Sequence, residues 1–139
     1  MSELIVKHAK APDERRPFVA HGHLDVFDFG GGSMAGFGIF EPGWKWSRDV
    51  KPIAGTESCQ SSHLGYVISG RLAVVMDDGT KAEVGPGDMV VIPPGHDAWV
   101  IGDEPCTMVD FGGAARYAQR GEEDTRYAST SEEVAPGIH

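Results

Sequence analysis

The sequence predicts an all-β domain of the sandwich or barrel class. Glycine is abundant, at 19 of 139 residues, and short apolar runs recur between residues 21 and 111. Pro-Gly, Gly-Pro and Asp-Gly steps part those runs, as they do where many short strands are joined by sharp turns. A chain of this length buries roughly two-thirds of the surface it exposes when unfolded, so one domain with its own core is expected without covalent staples.

The elements follow in order. Residues 3–8, LIVKHA, have the composition of a short strand, and Ala11 to Pro17, with its charges and two prolines, reads as a loop or arm. His21 to Phe29 resumes β character, Gly30-Gly31-Gly32-Ser33 breaks it, and MAGFGIFEP follows as a second strand. In that strand Phe37, Ile39 and Glu41 share one face, with Gly38 and Phe40 on the other. After Pro42-Gly43 the stretch WKWSRDVKPIAGT is expected to be a loop whose Trp44 and Trp46 cap a core or wall a pocket.

From Ser62 to Met76 two strands meet at Gly70. His63, Gly65 and Val67 lie on one face and Leu64, Tyr66 and Ile68 on the other, so neither face is plainly polar and both must be covered. An apolar outer face of this kind favours a homodimer. Leu72, Val74 and Met76 alternate with Ala73 and Val75, and Asp78-Gly79 then signals a hairpin with Lys81 to Val84 as the return strand. Gly85-Pro86-Gly87-Asp88 and Pro94-Gly95 make two further corners around MVVIP, HDAWVI follows, and CTMVDF is the last strand. Beyond it the chain is polar, and residues 112–139 read as an arm, as a short helix over 114–120, or as disordered. The chain thus divides into an N-terminal arm with outer strands (1–35), a barrel (36–111) and a polar C-terminal arm (112–139).

Composition narrows the partners. A formal charge of −9 repels phosphate backbones and anionic lipid, and no Lys/Arg cluster reverses it locally, so neither nucleic acid nor a membrane surface is expected. No apolar run approaches the ~20 residues of a membrane span. The first residues lack a signal-peptide core, and a cytoplasmic location is expected. Cys59 and Cys106 are too few for a disulfide framework and form no C-x-x-C pair, which fits a reducing compartment. No G-x-S-x-G elbow and no phosphate-cradling glycine loop is present.

The segments ESCQSSHLGYVISGRL and GPGDMVVIPPGHDAW resemble the two motifs of the cupin superfamily, G-x5-H-x-H-x3,4-E-x6-G and G-x5-P-x-G-x2-H-x3-N. Gly87, Pro93 and Gly95 match the second motif, and Gly70 closes the first. The resemblance, over residues 36–111, implies a double-stranded β-helix, or jelly-roll, barrel, which also removes the exposed edges that many short strands would create. It further implies a metal site with exchanged ligands. The first two histidines of the family fall on Glu57 and Cys59, the third on Ala98, and His63 stands where the family has Glu. Similar wording occurs in cupins joined to nucleotide cyclase domains, a regulatory setting.

In extended chain Glu57, Cys59 and His63 share one parity, and His96 shares that of Ala98. Glu57, Cys59, His63 and His96 are therefore the candidate metal ligands. A carboxylate, a thiolate and two imidazoles suit one divalent transition ion, Zn, Fe, Ni or Mn, and the same residues also suit a metal-free pocket of buried, hydrogen-bonded side chains. His63, His96, Gln60 and Trp46 are the candidate ligand-binding residues. His21 and His23, an H-x-H pair outside the motifs, read as exposed or capping histidines. Two functions follow: a module that binds a small molecule to sense or sequester it, or a metal-dependent enzyme such as a dioxygenase or isomerase acting on a small polar metabolite.

Overall fold

The computed structural model describes residues 3–112. Within them the chain forms β1 (Glu14–Pro17), β2 (Gly22–Asp28), β3 (Met34–Phe40), two single helical turns α1 (Trp46–Asp49) and α2 (Lys51–Ala54), then β4 (His63–Ser69), β5 (Arg71–Met76), β6 (Lys81–Val84), β7 (Met89–Ile92), β8 (His96–Ile101) and β9 (Cys106–Asp110). The strands make two antiparallel sheets, one of six strands ordered β1-β2-β3-β9-β4-β7 and one of three ordered β6-β5-β8.

From β4 onward the chain passes back and forth between the sheets, which makes this a double-stranded β-helix. Each passage occurs at a turn foreseen from Gly and Pro. At Gly70, between β4 and β5, the backbone takes φ 76° and the Cα lies against the backbone of Pro105 and Cys106, so neither the angle nor the space admits a side chain. The core fills the space between the sheets. Val67 from β4 and Met108 from β9 meet Leu72 and Val74 from β5 and Val100 from β8, all buried in one cluster. Phe18, Phe40 and Trp44 add an aromatic group, with ring centroids 5.5 Å apart for Phe18–Phe40 and 4.6 Å for Phe40–Trp44.

Three local expectations are corrected. Residues 3–8 form no strand, and the first strand lies instead at Glu14–Pro17. There Arg15 Nε donates to Asp25 Oδ1 at 2.7 Å, a cross-strand pair that a loop reading of the charges overlooks. The stretch after Gly43 is two helical turns rather than a loop: Pro52 falls in the first turn of α2, where its missing N–H costs nothing, and Gly55 ends that turn at φ 78°. The division at residue 35/36 cuts β3, because β1, β2 and β3 belong to the same sheet as β9 and β4. The expectations for the C-terminal arm lie, apart from Gly112, outside the described residues.

Candidate metal and ligand site

His63 opens β4 and points between the sheets with Gly65 and Val67. His96 opens β8 on the same inner face as Ala98 and Val100. Cys59 belongs to neither strand, and backbone hydrogen bonds carry it to the site. An isolated antiparallel bridge pairs it with His96, Cys59 N–H donating to the His96 carbonyl at 2.8 Å and Gly95 N–H to the Cys59 carbonyl at 2.7 Å. The Pro94-Gly95 corner and the loop before β4 are thereby clamped together, and Cys59, His63 and His96 bring their ligand atoms to within 4.8 Å of one another.

The polarity of each imidazole is fixed by its other nitrogen. His96 Nδ1–H donates to the Pro93 carbonyl at 2.8 Å, and His63 Nδ1–H donates to Asp110 Oδ2 at 2.5 Å. In both rings the Nε2 atom therefore keeps its lone pair. His63 Nε2 stands 3.7 Å from Cys59 Sγ. The rings of His63 and His96 meet edge to face, centroids 5.2 Å apart. Burial, together with the neighbouring His63, pushes the His96 pKa down to about 3, so this ring is neutral and able to ligate at ordinary pH.

These side chains close the polar end of a cavity of about 40 Å³ that opens to solvent. Its remaining wall is apolar, with Leu24, Phe40, Trp44, Trp46, Leu72 and Met108 among the contributors, and among the described residues no Lys or Arg lines it. The indole N–H groups of Trp44 and Trp46 are buried without a hydrogen-bond partner among the described residues.

Of the residues singled out from sequence, Cys59, His63, His96 and Trp46 are brought together. Glu57 is not: it sits on a bend outside any strand, its side chain 98% exposed and 3.6 Å from Lys51 Nζ. Strand parity does not apply there, so alternation assigns it the wrong side. Gln60 is also outside the cavity wall, its amide turned to donate to Ser58 Oγ at 3.0 Å and to the Ser58 carbonyl. The carboxylate of the site is Asp110 instead, on the inner face of β9 with Cys106 and Met108. Its signal was present in the parity of CTMVD, where an acid takes the third place of an otherwise buried face. No bridge joins Cys59 and Cys106. Burial and the nearby Glu104 raise the Cys106 thiol to about 11, which keeps it protonated. His21 and His23 lie elsewhere, His21 with Asp49 and His23 near Asp25.

The fold has known counterparts. A cupin from Shewanella frigidimarina described as RmlC-like superposes with a TM-score of 0.54 at 17% identity, covering 79% of this chain and 92% of that one. An uncharacterised Klebsiella pneumoniae protein with a double-stranded β-helix domain gives 0.51 at 21% identity, over 81% and 94% of the two chains. A protein of unknown function (DUF1255) from Acidithiobacillus ferrooxidans gives 0.51 at 18%, over 70% and 85%. At these identities the likeness concerns the fold alone. No curated protein matches the chain in sequence. Residues 54–112 match the cupin domain, and over that stretch the two sheets and the motif glycines in their places form the double-stranded β-helix of that fold.

Proposed function

We propose that the protein binds a small, largely apolar molecule in the barrel cavity, beside a divalent transition ion held by Cys59, His63 and His96, and that it senses or sequesters that molecule. One observation carries the metal half of this reading. A tetrahedral ion with Zn–S near 2.3 Å and Zn–N near 2.05 Å places its sulfur and nitrogen ligands about 3.6 Å apart, and Cys59 Sγ and His63 Nε2 stand 3.7 Å apart. The partners of the two Nδ1 atoms add support, because a carboxylate and a backbone carbonyl are the groups that orient metal-binding imidazoles. Thiolate and imidazole suit Zn²⁺, Fe²⁺ or Ni²⁺ better than the harder Mn²⁺.

The apolar wall supports the ligand half. Away from the ion the wall holds no Lys or Arg among the described residues and offers nothing to a phosphate or a highly charged metabolite, while the indole N–H groups of Trp44 and Trp46, unpartnered among those residues, favour a ligand carrying an oxygen acceptor. A second reading, a metal-dependent enzyme, is favoured by the ligand count: three protein ligands leave a position open, and an ion there supplies Lewis-acid activation of a bound group. The polar metabolite expected from sequence fits this wall poorly.

Elemental analysis of purified protein tests the reading. About one equivalent of Zn, Fe or Ni is expected, lost in His63→Ala and in Cys59→Ser. In Co²⁺-loaded protein, thiolate-to-metal charge-transfer absorption is expected and should vanish in Cys59→Ser. A folded protein that neither retains nor takes up metal would overturn the metal centre and leave the apolar cavity as the ligand site.

A further inference from the structure

Between β6 and β7 the two sheets stay apart. β6 is one edge of the three-stranded sheet and β7 one edge of the six-stranded sheet, and no pairing joins them. The side chains beside this seam are Val74 and Met76 of β5, Ala82 and Val84 of β6, and Val90 and Ile92 of β7, which line a groove of about 390 Å³ open to solvent. Met76 and Val90 pack against the core yet stay half-buried, and Ala82 is exposed. The polar groups at the hairpin end are engaged elsewhere. Asp78 Oδ1 accepts the Thr80 N–H within the turn at 2.9 Å, and Lys81 holds its ammonium 5.4 Å from the ring centroid of Trp99, which alternates with the inward Ala98 and Val100 and so lies on the outer face of the small sheet. An aliphatic floor is left between the two edges.

Ile92 belongs to two spaces. It lines this groove and also the cavity of the candidate metal site, where the register sets it opposite His63. That cavity is small: at roughly 10–15 Å³ for each water-sized occupant, its 40 Å³ admits about three or four such groups. The groove next to it is several times larger.

We propose that the molecule bound here is elongated and unbranched, with a polar head of a few atoms in the cavity and an aliphatic tail laid in the groove between β6 and β7. The proposal rests on the ligand site described above and names the class of molecule that fills it. The head meets the candidate ion and the indole N–H groups, and the tail passes Ile92, whose side chain parts the two spaces and joins them by a change of rotamer. Length agrees with this assignment. β6 and β7 are each four residues long, which at about 3.3 Å per residue makes the groove roughly 13 Å long, the reach of a medium-length alkyl chain. A tail in that position covers Met76 and Val90, whose burial the strands alone leave incomplete, and each methylene it buries adds to affinity in the ordinary hydrophobic way.

Straight-chain alkyl hydroxamic acids, from acetohydroxamic to octanohydroxamic acid, test the proposal when titrated into the full chain loaded with Co²⁺. The hydroxamate oxygens ligate the ion, so the cobalt absorption spectrum reports the head whatever the tail does. Affinity is expected to rise about two- to fourfold for each methylene added beyond the butano compound. In Ala82→Phe, where a ring replaces an exposed methyl and fills the groove, the rise is expected to stop there. Wild-type affinity that is flat beyond the butano compound overturns the proposal, while the spectral change still upholds the metal and its cavity; the groove then belongs to the chain itself or to water. An undiminished rise in folded Ala82→Phe also overturns it, because the tail then lies elsewhere, and the wild-type series decides without the variant. A chain that takes up no Co²⁺ removes the head site and the proposal with it, a result the spectrum gives before any hydroxamate is added.

Discussion

Asp110 shows how one residue governs the site without being one of its candidate ligands. It accepts the Nδ1 proton of His63 through Oδ2 and the Gly112 N–H through Oδ1, so its carboxylate is held in place while it holds the ring. A neighbouring carboxylate raises the basicity of an imidazole ligand and fixes its tautomer, and loss of such partners commonly costs 10- to 100-fold in metal affinity. Asp110→Asn keeps the shape and removes the charge. Competition against a chromophoric chelator should show metal affinity lower by about that factor, with little change in the unfolding midpoint of the metal-free protein. His96 sits in a different setting: its partner is a neutral carbonyl and its surroundings are dry, which is why its pKa falls to about 3. The two imidazoles are thus prepared in different ways, one by charge and one by burial.

Elements matter here mainly where they end. Gly70 turns β4 into β5, and β4 carries His63 at its other end. The turn packs directly on the backbone before β9, the strand that carries Asp110. A side chain at Gly70 has to adopt φ near 76° and also displace Pro105. Gly70→Ala is expected to destabilise the fold by about 1–3 kcal/mol, visible as a lower denaturant midpoint. A substitution at Gly79, in the β5–β6 turn, also meets positive φ but no close neighbour, so its cost should be the smaller of the two. The bridge between Cys59 and His96 works on the same principle at shorter range. Three backbone hydrogen bonds involving Gly95, His96 and Cys59 bring a loop residue to a strand residue, where no strand pairing would do so.

For the whole molecule, binding of the proposed metal would be linked to stability. The three candidate ligands come from the loop before β4, from β4 of the larger sheet and from β8 of the smaller one, so an ion held there would tie the two sheets together. A ligand that binds only the folded state stabilises it by RT ln(1 + [L]/Kd), about 2.7 kcal/mol at a hundredfold excess over Kd. Chelation of the loaded protein should therefore lower the thermal midpoint, and the same chelator should leave that of His63→Ala unchanged.

The class of fold was legible in the chain alone, because alternation and turn chemistry are local. Gly70, Gly79, Gly87 and Gly95 all take the positive φ their turns demand. Strand alternation also placed His63 and His96 on inner faces, and left Leu64, Tyr66 and Ile68 on an outer one. Which carboxylate joins them depends on long-range packing. Glu57 lies close to Cys59 along the chain but on a bend, where period-two alternation has no meaning, and it faces solvent. Asp110 lies 47 residues from His63 and reaches it because β9 pairs with β4, a choice made by long-range packing rather than by local pattern. The same distinction explains β1 and the helical turns around Trp46. A four-residue edge strand needs Asp25 and its neighbours on β2 to exist, and a single helical turn is held by the core that buries its tryptophan.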